Sequence, residues 1–263
     1  MRKKHSLSNK LPRLSMLLAF ISATIVIYLP GETAPNEALS NLLISGMAVI
    51  VLLLQKWWFS PEYKGVFKAE IPLREIVTLS APYLISFVLT YICNLVDSGL
   101  YFAPTVLSLT MAIAAGLCEE TAFRGVTMPI GMRYLKSKNR ALAVTVLTAL
   151  IFGAFHLSNI MGGASVTMGV IQAFATAFSG LFLGAVFLRT GSIVPSMILH
   201  AVFDWICFTT DATLENGIMA AEIVTPGLVG AIAIDVALGI AGLYLIRPSV
   251  REKIEELWQK KWS

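Results

Sequence analysis

Polar residues interrupt this sequence so rarely that it resolves into eight apolar stretches, at about 14–29, 38–58, 76–96, 104–123, 141–157, 166–188, 192–208 and 226–245. Each is close to the roughly 20 residues that, as an α-helix rising about 1.5 Å per residue, cross a hydrocarbon layer of about 30 Å. The expected fold is all-α, a polytopic membrane helical bundle with about eight transmembrane helices. Composition agrees: 56% of residues are hydrophobic and 14% charged, whereas soluble domains hold roughly 45–50% apolar and about 25% charged residues. The three cysteines, Cys93, Cys118 and Cys207, lie in apolar stretches without a CxxC pair. They read as small buried hydrophobes, and a disulfide framework is excluded.

The distribution of positive charge gives an independent test, because Lys and Arg are retained on the cytoplasmic side during insertion. The chain has 20 of them. They fall in the N-terminus (Arg2, Lys3, Lys4, Lys10, Arg13), between Lys56 and Arg74, between Arg124 and Arg140, at Arg189, and in the tail from Arg247 to Lys261. The alternate connections hold only acids, such as Glu32, Glu37, Asp97, Asp211, Glu215 and Glu222, or no charge. Both termini are therefore expected in the cytoplasm, with an even number of spans. The net charge of +4 reflects this sidedness and implies no nucleic-acid partner. The first span lacks a clean cleavage site after Tyr28 and is expected to stay as an anchor. Trp57 and Trp58 beside Lys56 suggest an interfacial belt. Val250, Ile254, Leu257 and Trp258 recur at helical spacing, predicting a short amphipathic helix on the inner membrane face.

Ionisable side chains inside such spans are costly, at least about 2.5–3.5 kcal/mol near the bilayer centre, and tend to face the bundle interior and carry function. Glu119, Glu120 and Arg124 end the fourth stretch, His156 ends the fifth, and His200 and Asp204 stand in the seventh. On an α-helix Glu120 and Arg124 share a face, so the arginine can neutralise that carboxylate, while Glu119 points about 100° away. Phe152 precedes His156 by one turn, and His200 and Asp204 also share a face. If the fourth helix continues to about Arg133, then Glu119, His156 and His200 fall within a common layer of the membrane. A carboxylate there could take a proton from water, a histidine could orient that water, and further donors could stabilise an oxyanion. The same groups match the ligand types of a catalytic zinc site, and spacing does not decide between the two.

Glu119-Glu120 with Arg124, Phe152 with His156, and His200 with Asp204, in this order, resemble the CAAX-protease and bacteriocin-processing (CPBP, or Abi) intramembrane endopeptidases, whose pattern is EExxxR, FxxxH and HxxxN/D. The resemblance covers about residues 104–209. It implies an eight-helix bundle with a catalytic cavity open to the cytoplasmic side. It also implies catalytic roles for Glu119, His156, His200 and Asp204, with Glu120 and Arg124 as a charge pair. Glu119 would be the general base, assisted by His156. His200 and Asp204 would occupy oxyanion-stabilising positions, although an ionised Asp204 would repel an oxyanion. No cofactor is required in this glutamic-type mechanism, and zinc stays compatible with it. The partners implied are membrane lipid and a membrane-associated peptide, CAAX-like or bacteriocin-like.

The chain then divides into a basic cytoplasmic N-terminus (1–13), three N-terminal spans (14–103), a catalytic core (104–209), and a last span with its tail (210–263). Length and composition suggest a bacterial plasma membrane. No HExxH, GxGD or rhomboid GxSG motif is present. The competing readings are a proton-coupled transporter, to which Asp235 in the last span would contribute, and a non-catalytic immunity or scaffold protein.

Overall fold

The structure is a computed structural model that describes residues 7–214 and 222–263. Arg2, Lys3, Lys4 and His5 of the basic N-terminus lie outside the described residues, as do Glu215 and the side chain of Lys56. Helices form at every predicted span: α1 (Pro12–Tyr28), α2 (Glu37–Leu53), α3 (Leu73–Ser98), α4 (Val106–Tyr134), α5 (Arg140–His156), α6 (Val166–Thr190), α7 (Val194–Thr210) and α8 (Pro226–Leu245). Six stretches are long and apolar enough to cross a membrane, while α2 and α7 are shorter apolar helices. Large apolar side chains such as Ile85, Val88, Ile198 and Ile240 stand outward, as expected where the surrounding solvent is lipid. This is an integral membrane protein.

The helices start where side chains can take up their free amides. Asn36, Thr105, Ser165 and Thr225 cap α2, α4, α6 and α8 by accepting from the third backbone N–H beyond them. Helix α6 packs between α5 and α8, and α4 is held by α1, α2 and α7.

Helix α4 is the longest, at 29 residues. The sequence pattern breaks at Arg124, but the chain stays helical to Tyr134, as the common-layer argument required. Its middle is wound more widely than an α-helix, with π-turns at Ala115–Glu119 and Thr121–Thr127. The Thr127 hydroxyl donates to the Ala122 carbonyl at 2.7 Å, and Gln55 donates to the Gly125 carbonyl at 2.6 Å. Such widened turns recur at functional positions in helices.

The two ends of the bundle differ in chemistry. At the basic end, the tail helix α9 (Arg251–Lys261) docks by Arg140–Glu255, by Lys261–Glu70 at 3.3 Å and by the Trp258 indole N–H donating to the Leu188 carbonyl at 3.2 Å. Its apolar stripe therefore covers protein: Ile254 and Trp258 are both buried at 1%, with Trp258 edge-on to Phe187. The predicted helix exists, yet its hydrophobic face is used by the bundle in place of lipid. At the opposite end Asp97 accepts from the Thr225 hydroxyl and from the amides of Gly227 and Leu228, tying α3 to the start of α8.

Candidate active site

Helices α4, α5 and α7 build the site around one buried ion pair. Arg124 and Glu120 are 1% and 0% exposed, with guanidinium to carboxylate at 2.7 Å. Either charge alone in that position would be strongly destabilising. The guanidinium also donates to the Gly180 carbonyl at 3.2 Å and lies 4.6 Å from the Phe152 ring centroid, a cation–π contact. A side chain at residue 180 would begin 2.9 Å from Phe152, so glycine lets the α6 backbone reach the arginine.

Glu120 does more than the sequence pattern assigns to it. The oxygen bound by Arg124 also accepts from His200 Nδ1 at 3.0 Å. A carboxylate paired with arginine only accepts, so His200 Nδ1 carries the proton. The His200 Nε2 atom lies 3.8 Å from Glu119 Oε2 and 3.5 Å from Asp204 Oδ2. His156 is fixed in a parallel way: its Nδ1 lies 2.9 Å from the Phe152 carbonyl, which can only accept. The neutral ring therefore keeps its lone pair on Nε2, 4.0 Å from Glu119 Oε2. That Glu119 oxygen is buried and has no hydrogen-bond partner among the described residues.

Glycines permit these approaches. A Cβ on Gly116 would stand 2.7 Å from the Ala201 methyl, and one on Gly153 would stand 2.4 Å from the Ala173 carbonyl. Small residues of this kind let membrane helices close on one another. Here they bring α4 against α7 and α5 against α6, next to the reacting layer.

A cavity of about 280 Å³ opens beside the cluster, lined by Glu119, His156, His200, Asp204, Tyr83 and Asp235. The structure thus brings the carboxylates and imidazoles of three helices together around one space, and Glu120 and Arg124 support them from behind. Asp235, named from sequence only for the competing transporter reading, stands in the same cavity wall, with Oδ1 unpartnered among the described residues. The sequence reading also left aside a stripe on α3: Tyr83, Thr90, Asn94 and Asp97 all line the cavity. Their spacing of seven, four and three residues on one helical face was the available signal.

The cavity extends from Glu119 to Asp211, Thr213 and Thr225, which belong to the acidic end.

The donor set was tested against zinc. Tetrahedral zinc with bonds of about 2.0–2.1 Å places neighbouring donors about 3.3 Å apart. Glu119 lies 4.0 and 3.8 Å from the two imidazoles, and His200 Nδ1 is engaged by Glu120. No group of three or more His, Cys, Asp or Glu side chains among the described residues is placed to hold a metal ion. This arrangement does not fit zinc.

Carboxylates and imidazoles from separate helices of a membrane bundle thus face one cavity. Residues 101–206 match the family model described as type II CAAX prenyl endopeptidase Rce1-like. That stretch contains Glu119, Glu120, Arg124, His156, His200 and Asp204, and it is the part of the chain that is similar to this family of membrane endopeptidases. No curated protein and no solved structure matches it.

Proposed function

We propose that this protein is an intramembrane endopeptidase that hydrolyses a peptide bond in a membrane-associated peptide, using water activated by Glu119 and His156. The observation that carries the reading is the separation of Glu119 Oε2 from His156 Nε2, 4.0 Å. A water hydrogen-bonded to both at about 2.8 Å spans that distance. With its two hydrogens directed at the carboxylate and the imidazole lone pair, such a water aims a lone pair at a carbonyl carbon in the cavity.

In the reaction that follows, the water oxygen bonds to the carbonyl carbon as its proton passes to Glu119. The carbonyl oxygen takes the negative charge of the tetrahedral intermediate. Glu119 then returns the proton to the amide nitrogen, the C–N bond breaks, and a carboxylic acid and an amine leave. His200 supports the oxyanion if its Nε2 is protonated, with Glu120 and Asp204 as the counter-charges beside the imidazolium. In this arrangement Asp204 acts through His200, which removes the repulsion that its direct use would bring. Glu120 and Arg124 are positioning residues, fixing the orientation and tautomer of His200.

The test is to purify wild type, Glu119→Gln and His156→Ala and follow cleavage of membrane-associated peptides by mass spectrometry, with and without a chelator. Cleavage by wild type, lost in Glu119→Gln and indifferent to chelation, is expected. Full activity in Glu119→Gln removes the base assignment, and chelator inhibition reversed by zinc replaces it with a metal. Proton-coupled solute uptake without proteolysis would favour the transporter. A phenotype intact in Glu119→Gln would favour the scaffold.

A further inference from the structure

Three observations bear on where the substrate comes from and what it carries. None of the 20 Lys and Arg residues falls in the connections at 29–37, 97–105, 157–165 or 209–225. The described parts of two of them meet at one end of the bundle, where Ser98 accepts from the Ala212 amide and Asp97 caps α8. Basic loops stay on the cytoplasmic side, so this end is the extracytoplasmic one. The cavity reaches that same end, at Asp211, Thr213 and Thr225.

The second observation is the cavity's charge. Glu119, Asp204, Asp211 and Asp235 line it, and no Lys or Arg does. The third is that two of these carboxylates are occupied, while Glu119, facing the imidazoles, and Asp235, away from them, each keep an oxygen without a partner among the described residues. Asp211 accepts from the amide and hydroxyl of Thr213 at 2.8 and 2.6 Å, and Asp204 lies beside His200. Asp235 is 8% exposed and has an oxygen without a partner among the described residues. A carboxylate so placed is incomplete until a donor or cation reaches it.

We propose that the cavity opens to the extracytoplasmic face and receives there a peptide segment bearing a cationic side chain, whose charge is met by Asp235. That the guest is a peptide rests on the endopeptidase reading above; the side of entry and the charge preference do not. The substrate class is then a basic peptide presented outside the cytoplasm, which differs from a C-terminal tail presented in the cytosol.

Cys207 stands in the cavity wall and provides a native reporter. The full-length chain, with Cys93→Ala and Cys118→Ala, would be expressed in a bacterial host. Spheroplasts and inverted vesicles would be treated with two membrane-impermeant thiol reagents, cationic 2-(trimethylammonio)ethyl and anionic 2-sulfonatoethyl methanethiosulfonate. Each rate is divided by that reagent's rate with free thiol. In spheroplasts the cationic reagent is expected to modify Cys207 about tenfold faster than the anionic one, the scale set by a nearby unit charge in a medium of intermediate dielectric. Asp235→Asn should lower that ratio about threefold or more. A Thr213→Cys rim reporter should react in spheroplasts and not in sealed inverted vesicles.

Reaction confined to inverted vesicles overturns the side of entry. A ratio near one, or one that Asp235→Asn leaves unchanged, overturns the charge preference. Silence of both reporters in both preparations overturns the cavity itself. Failure of the endopeptidase reading shows elsewhere, as equal cleavage by wild type and Glu119→Gln, and leaves the labelling rates as they are.

Discussion

Two sets of ion pairs hold this molecule, and they do different things. At the basic end, Arg140–Glu255, Arg189–Glu75 and Lys261–Glu70 fasten the tail helix and neighbouring loops at a partly solvated surface. In the interior, Arg124, Glu120 and His200 form a chain in which each charge has a directed partner and both ends of the Arg124–Glu120 pair are almost wholly buried. The Arg140 and Arg189 pairs gain little, because water competes for their partly exposed members. The interior chain costs desolvation and gives orientation in return: it fixes which nitrogen of His200 faces Glu119.

Substitutions can break or sharpen this contrast. Glu119→Gln should have the largest effect, about a 10²–10⁴-fold loss of peptide cleavage, with thermal unfolding in detergent close to wild type. Arg124→Ala should unfold the protein more easily by about 3–5 kcal/mol, since it leaves Glu120 as a buried charge without its counter-ion. Gly153→Leu meets the Ala173 carbonyl at its first atom and should cost about 1–3 kcal/mol. It should also lower activity, because His156 lies one turn further along the same helix. At the surface, Glu255→Gln should shift stability by less than about 1 kcal/mol, with the effect shrinking further in high salt.

Lys261 gives a finer test of the same contrast. Burial outweighs Glu70 and lowers its ammonium below the ordinary lysine range. A lysine with a depressed folded pKa destabilises the fold while charged. That cost is full below the folded pKa and fades as pH rises toward the ordinary value of 10.5. Lys261→Met should therefore gain on wild type at neutral pH, and the gap should narrow as pH climbs through that window in a thermal-shift series.

The spans were legible because hydropathy, helix length and the sidedness of Lys and Arg are properties of the chain itself, and the last span was read to its limits at Pro226–Leu245. The continuation of α4 past Arg124 was legible only through the depth argument, since polar residues there mimic a helix end. The site's six residues were readable because each is ionisable or paired in a setting that penalises charge. The shared oxygen of Glu120 was not, because spacing within α4 reports Arg124 but carries nothing about α7. Asp235 and the α3 stripe depend on how α3 and α8 pack across the cavity, which single-helix periodicity leaves open. The tail helix shows the same limit: an amphipathic pattern gives a face but not its neighbour, and here Trp258 is buried against Phe187.

The widened turns of α4 also constrain how its length can change. A π-turn accommodates an extra residue within an otherwise continuous helix, so the stretch from Ala115 to Thr127 carries its spacing as an inserted count. Deleting one codon there would let the helix relax to ordinary winding and rotate everything beyond it by about 100°. A deletion ahead of Glu119 would turn Glu119, Glu120 and Arg124 together away from His200 and Gly180, although every side chain needed for the chemistry would still be encoded. Drift in this helix should therefore proceed by replacement, with single-residue indels eliminated.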